Sequence, residues 1–192
     1  MIDKIKVFEK ELRYIQDNDI REFTEKAINI LPDYFFEIPA SSTGKYHPTY
    51  ALGNGGLVRH VRAAVNIAYC MFNNVTITSN FTQRHKDIII SALLLHDGLK
   101  KGFPEQEYVI DNHAVQVCNY LEMQFKSAVV DSIYNIIMND VFPLIQSHMG
   151  QWNTSKNGVI HSPLPNSGPA RYVHMCDYLA SRKLIDINFD AI

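Results

Sequence analysis

Ile88-Ile89-Ile90-Ser91-Ala92-Leu93-Leu94-Leu95 runs without a break into His96-Asp97-Gly98-Leu99-Lys100. Seven of the first eight residues are apolar, with no alternation that would leave one face for water. Such a segment predicts a helix that is buried all round, spanning about 83 to 97 and standing at the centre of its domain. It is far shorter than the roughly 20 apolar residues that cross a bilayer. His96-Asp97 comes where this helix must stop, and HDGLKKGFP is read as its C-terminal turn, with Gly and Pro as breakers. An imidazole and a carboxylate at the end of a central helix are costly to bury unless a partner satisfies them.

The segments on either side carry helical periodicity. Residues 3 to 16 place Ile5, Phe8, Leu12 and Ile15 on one stripe, and residues 19 to 31 place Ile20, Phe23, Ala27 and Leu31 on another, ended by Pro32. Residues 34 to 55 are rich in Pro, Ser, Thr and Gly and are read as irregular. Helices are predicted from about 56 to 72, 106 to 123 and 169 to 184, with shorter pieces at 127 to 138 and 141 to 148 and a loop over 150 to 168. No strand pair or repeat is visible. The expected architecture is all-α: an N-terminal helical pair, residues 1–33, packed on a main helical domain, residues 34–192.

Composition narrows the function. The chain has 192 residues, 46% of them hydrophobic, and its formal net charge is −2, which argues against long duplex nucleic acid held by a basic surface. A local basic pocket for a nucleotide or short oligonucleotide remains compatible. Three cysteines, Cys70, Cys118 and Cys176, are widely spaced among apolar residues, so a reducing, cytoplasmic setting is expected. The first twelve residues are charged and amphipathic, unlike a signal peptide, and no membrane association is expected. Eight histidines stand against a single Trp. Imidazole is the commonest metal ligand and a frequent acid or base.

Their positions are informative. His60 sits at the edge of the Leu57/Val61 stripe. Asp177 lies on the Val173, Cys176, Ala180 face of the last helix, where a carboxylate needs a cation, and Arg171 and Arg182 are off that face. His113 is on the inner side of its helix, four before Val117, and His148 follows Leu144 by four. Singly, each histidine is as compatible with a hydrogen-bonded core position. Together, five helices each deliver a His, an Asp or a His-Asp pair inward, which is how helical bundles build metal sites. His and Asp ligands without Cys suit one or two ions of Mn, Fe, Co, Ni, Zn or Mg.

The order His60, His96-Asp97, Asp177 resembles the H…HD…D signature of the HD-domain metal-dependent phosphohydrolases. The surrounding blocks agree: GGLVRH (55–60) is similar to the family's GGLLEH, ALLLHDGLK (92–100) to ALLHDIGK, and VHMCDYLASRK (173–183) to its last-helix pattern. The likeness covers roughly residues 40 to 183. It implies that His60, His96, Asp97 and Asp177 hold a first metal. His113 and His148 match the extra histidines of dinuclear members, where the Asp of HD bridges both ions. Lys100 matches the Lys placed near the substrate phosphate. STGKYHP resembles a stretch of the branch containing bacterial 3′–5′ exoribonucleases, which implies that Lys45 and His47 face the phosphate. Three departures stand out. The Gly of the HD turn has moved to position 98, the family's HHG is His148-Met149-Gly150, and the Glu of GGLLEH is Arg59.

The resemblance thus implies a phosphohydrolase, either phosphodiesterase or phosphomonoesterase, acting through a metal-activated water on a nucleotide, cyclic nucleotide or short oligonucleotide. Asp97 would orient that water. Lys100, Lys45 and Arg59 would offset developing charge, and Trp152 would stack a nucleobase. Solvated surface charges and a loop-anchoring Trp are the structural alternatives. His161 and His174 are read as supporting or exposed, and His85 as solvated. Other readings are an HD-fold nucleotide-binding module or sensor without turnover, a metal-free helical interaction protein, and oxidative chemistry at a di-iron pair. Oligomeric state is left open.

Overall fold

The computed structural model of the chain describes residues 2–127 and 132–184, and among them every regular element is helical. Residues 128–131, within the helical piece expected at 127 to 138, and residues 185–192, at the end of the expected main domain, lie outside the described residues. The elements run α1 (Lys4–Val7), α2 (Glu9–Leu12), α3 (Asn18–Ile30), α4 (Gly56–Met71), α5 (Val75–Thr78), α6 (Gln83–Leu95), α7 (His113–Ser127), α8 (Ser132–Gln146) and α9 (Gly168–Ala180). Short 3-10 turns at Asp33–Phe36, Thr49–Ala51 and Gly150–Trp152 punctuate the connections.

Helix α6 is the axis of the fold. Every residue from Asp87 to Leu95 is buried, and α3, α4, α8 and α9 pack around it. A helix apolar on all sides has no other stable place. Its start is set by a capping box in which Thr82 and His85 exchange bonds between side chain and backbone N–H, both 3.2 Å. The N-terminal segment joins the same apolar cluster, contributing Phe8, Leu12, Ile15, Ile20 and Phe23 to the core that also holds Leu93, Leu94 and Val173. Two polar contacts fix its register. Buried Asp87 accepts from the backbone N–H of Gln16 at 3.1 Å and Asp17 at 3.0 Å, and Ser91 Oγ donates at 2.7 Å to Thr24 Oγ1, whose own proton goes to the Ile20 carbonyl at 2.6 Å.

Several boundaries differ from the periodicity. The segment over 3 to 16 breaks at Phe8 into α1 and α2, although its Phe8, Leu12 and Ile15 stripe faces inward as expected. The helix expected from 106 begins at His113. Val109, within the expected helix, is 37% exposed, and residues 103–112 form turns and irregular chain ahead of the helix. The pieces expected at 127 to 138 and 141 to 148 form one helix across Pro143, which forgoes one backbone bond and ends the helix a turn later. Helix α9 stops at Ala180, and its N-terminus is capped by Ser167 Oγ, which accepts from the N–H of Ala170. The 150–168 loop carries one isolated bridge, Thr154 with Ile160.

Candidate functional site

Where α4, α6, α7, α8 and α9 converge, six side chains meet. His60 comes from the first turns of α4. His96 and Asp97 follow the end of α6, His113 opens α7, His148 lies just past α8, and Asp177 is on the inner face of α9. All five residues other than Asp177 are at most 2% exposed. His60 Nε2 is 2.9 Å from Asp177 Oδ1 and 3.8 Å from Asp97 Oδ2. His96 Nε2 is 3.5 Å from each of those same oxygens. The other Asp97 oxygen, Oδ1, faces His113 Nε2 at 3.1 Å and His148 Nε2 at 3.7 Å. Asp97 therefore turns one oxygen to each half of the cluster.

The protons can be placed. His96 Nδ1 lies 2.7 Å from the Leu93 carbonyl, His113 Nδ1 2.8 Å from that of Ile110, and His148 Nδ1 2.7 Å from that of Ile145. A carbonyl only accepts, so each Nδ1 is the donor and, in the neutral ring, each Nε2 presents a lone pair. His113 Nε2 and His148 Nε2 nevertheless stand 3.3 Å apart, both beside a carboxylate oxygen. His96 Nε2, Asp97 Oδ1 and His60 Nδ1 are buried without a hydrogen-bond partner among the described residues. With both rings neutral, His113 Nε2, His148 Nε2 and Asp97 Oδ1 are three acceptors with no donor between them, and such a group repels itself unless a cation sits among it.

Electrostatics follow from this crowding. Burial works to raise the Asp97 carboxyl, but Lys100, His96 and His113 outweigh it and hold its pKa well below the ordinary range. Asp177 is depressed in the same way, against burial, by the neighbouring His60 and His96. Burial pulls His96 down, and the two carboxylates more than reverse this, so its pKa is raised. His148 is pushed down to about 3 by burial first and then by His96. It is a neutral imidazole across the physiological range.

The fit to a divalent ion is testable from these distances. Ligand nitrogens and oxygens bound at about 2.0–2.2 Å to a first-row ion stand roughly 3 Å from one another. Three sets bring their ligand atoms within 4.8 Å of one another, near enough to approach that spacing: His60, His96 and Asp97; His96, His148 and Asp177; Asp97, His113 and His148. Each Nδ1–H···O=C bond is also the outer support that orients a ligating histidine. The donor set fits a metal.

Above the cluster opens a cavity of about 200 Å³, lined at its floor by Asp97, Lys100, His113, His148 and Asp177 and on its walls by His47, Met149, Trp152, Tyr178 and Arg182. Lys100 Nζ contacts Asp97 Oδ2. Gly98 leaves the chain room to make this turn, since a Cβ there would meet Leu31 Cδ2 at 2.6 Å. His47 stands with its ring 5.4 Å from that of His60 and its buried Nδ1 unpartnered among the described residues. Burial, then His60 and Lys100, lower its pKa to about 3. Trp152 is 43% exposed and stacks on Tyr178 at 5.5 Å.

Two expected substrate contacts are elsewhere. Arg59 Nη2 donates to the Leu52 carbonyl at 2.8 Å and Nε donates to that of Tyr50, so this guanidinium braces the preceding loop and is outside the cavity lining. Lys45 is exposed, with Nζ 5.1 Å from the Tyr46 ring, and is also outside the lining. Two residues gain a place. His174 Nδ1 donates to the His148 carbonyl at 2.7 Å, bracing it from behind. Arg182, set aside because it is off the Asp177 stripe, lines the mouth one helical turn after Tyr178, an i, i+4 spacing that could have revealed it. His85 serves the α6 cap, and His161 lines a neighbouring cavity with Lys156.

No family model, no curated protein and no solved structure matches the chain. Among the described residues no helix is long and apolar enough to cross a membrane.

Proposed function

We propose that this chain is a metal-dependent phosphohydrolase of the HD type, acting on a nucleotide, cyclic nucleotide or short oligonucleotide. One observation carries the reading: the Nε2 atoms of His96, His113 and His148, whose Nδ1 protons go to backbone carbonyls, converge on oxygens of Asp97 and Asp177 at 3.1 to 3.7 Å. The H…HD…D order of His60, His96-Asp97 and Asp177 supports it. His60, His96, Asp97 and Asp177 would hold one ion, and Asp97, His113 and His148 a second. A divalent ion held there supplies a nucleophile at neutral pH and positive charge for the phosphoryl oxygens.

The chain's own residues do the rest. Asp97, fixed between imidazoles and Lys100, stays ionised and orients the group that attacks phosphorus. Lys100, at the cavity floor, stabilises the charge that builds on the non-bridging oxygens. His47, neutral and with an unspent buried nitrogen, hydrogen-bonds the phosphate or its leaving oxygen. Trp152 offers its face to a base.

The test is hydrolysis of a panel of nucleotides, cyclic nucleotides and short RNAs with Mn, Mg, Ni or Co. Phosphate or nucleoside monophosphate should be released, and Asp97→Ala should lose at least about a hundredfold in rate. Unaltered turnover in Asp97→Ala would sink the mechanism. A second reading, a nucleotide-binding module without turnover, is favoured by Lys100 already giving Asp97 a cation. Nucleotide recovered intact after incubation with metal-loaded protein would select it.

A further inference from the structure

We infer that Arg182 is a specificity residue that reads a second phosphoryl group of the substrate, next to the base that Trp152 takes. The inference rests on the phosphohydrolase reading of the cluster below it. Two cations line the cavity. Lys100 is committed to Asp97, whereas Arg182 has no carboxylate within ion-pair distance among the described residues.

Its position is built. The guanidinium carbon stands 4.4 Å over the Tyr178 ring and 5.9 Å from the rings of Trp152 and Tyr46. Stacking on an aromatic face leaves the N–H groups of the guanidinium plane pointing outward, where a planar fork can grip an oxyanion. Nε and Nη2 both donate to Ser181 Oγ, at 3.1 and 2.8 Å, and that hydroxyl in turn donates to the Tyr178 carbonyl at 2.7 Å. Nη1 makes no bond among the described residues and is the edge left for a ligand.

Chemistry selects the ligand. The floor carries the carboxylates and imidazoles that would centre the scissile phosphate. The mouth adds a flat indole and one uncommitted, always-charged donor. A substrate matching both has a base and a phosphoryl group beyond the one that reacts, as a 5′-phosphorylated dinucleotide has and an unphosphorylated one lacks.

The test compares pApA with ApA. Each is titrated, with magnesium, into the wild type, Arg182→Met and Arg182→Lys, using the fluorescence of Trp152, the only Trp in the chain. The wild type should bind pApA about tenfold more tightly, the Met variant should bring the two within about twofold, and the Lys variant should fall between. Equal binding of both by the wild type, or an undiminished preference in Arg182→Met, would overturn the inference. If the Met variant does not fold, judged by its circular dichroism melt, the Lys variant decides: an undiminished preference there overturns the inference and a reduced one supports it. Hydrolysis of bis(p-nitrophenyl) phosphate is measured in parallel. Its absence with an intact pApA preference would count against the hydrolase reading and leave the role of Arg182 standing.

Discussion

Gly150 has φ +54°, and a Cβ built on it would stand 2.2 Å from Cε1 of His174. His174 in turn donates to the backbone carbonyl of His148. A methyl group at 150 therefore acts on the cluster through one intermediary. Gly150→Ala is expected to destabilise the protein by about 1–3 kcal/mol, the scale of a strained left-handed residue with a clash, and to weaken metal binding about tenfold. In a His174→Ala background the steric part disappears, so the stability cost of the same change should fall by about half. Denaturant titration of the four proteins, with metal titration alongside, checks both. Equal costs in the two backgrounds would contradict the contact. At this scale much of the centre was readable beforehand: an Asp on an apolar stripe and a His-Asp at the end of a greasy helix announce their need for a cation. Lys45 was not placed in this way, because a flexible cation on an irregular segment has no periodicity to say which way it points; Arg59 is helical, but period does not say that its long side chain folds back onto the carbonyls of Tyr50 and Leu52.

Helix α6 is pinned at its two ends by different polar chemistry. Its C-terminal end delivers His96 and Asp97. Near its N-terminal end, Asp87 accepts two backbone N–H groups of the N-terminal segment and Gln83 Nε2 at 2.8 Å. Asp87→Ala would strand two backbone donors, with an expected cost of about 2–4 kcal/mol. The urea midpoint should fall with little change in slope, since the same surface is exposed on unfolding. Metal affinity should change less than twofold, because the proposed ligands lie at the other end of the helix; a loss matching the stability loss would show the two ends coupled. The late start of α7 belongs to this scale too. Periodicity extended it back through Val109, but His113 sits where its Nδ1 can reach the Ile110 carbonyl of the preceding turn. The helix start and the orientation of that imidazole are one feature.

For the molecule as a whole, acidity probes the buried charges. His47 and His148 are held at about 3 when folded, against 6.5 for an ordinary imidazole. Below 6.5 the unfolded chain takes up protons that the folded chain refuses, so stability falls as pH drops from about 6.5 toward 3. Asp97 and Asp177, depressed below 3.8, add to the loss at the acid end. His96, displaced upward, contributes fully below 6.5 and loses its contribution as pH rises through its folded value. From these groups, chelator-treated protein should melt at its highest temperature near pH 6.5, and His148→Gln should flatten the acid limb. A melting temperature unchanged between pH 4 and 6.5 would refute the account. Added Mn at 100 times its Kd should stabilise by about 2.7 kcal/mol, with weaker binding at pH 5.5 than at 7.5, because His96, whose pKa is raised, must shed its proton to ligate.

Hydrophobic period indicated that the chain is all-helical, that Ile88–Leu95 is central, and that His113, His148 and Asp177 share inner faces, while His60 stood at a stripe edge and His96-Asp97 at the end of the central helix. A helix must turn its apolar stripe to the core, and whatever shares that stripe goes with it. Tertiary structure alone decided how the oxygens of Asp97 are divided between imidazoles, that Arg59 braces a loop, and that Arg182 stands at the cavity mouth beside Trp152. Those outcomes depend on distances between elements far apart in the chain. Period gives a direction around one helix axis, and only packing sets where that axis stands relative to the next.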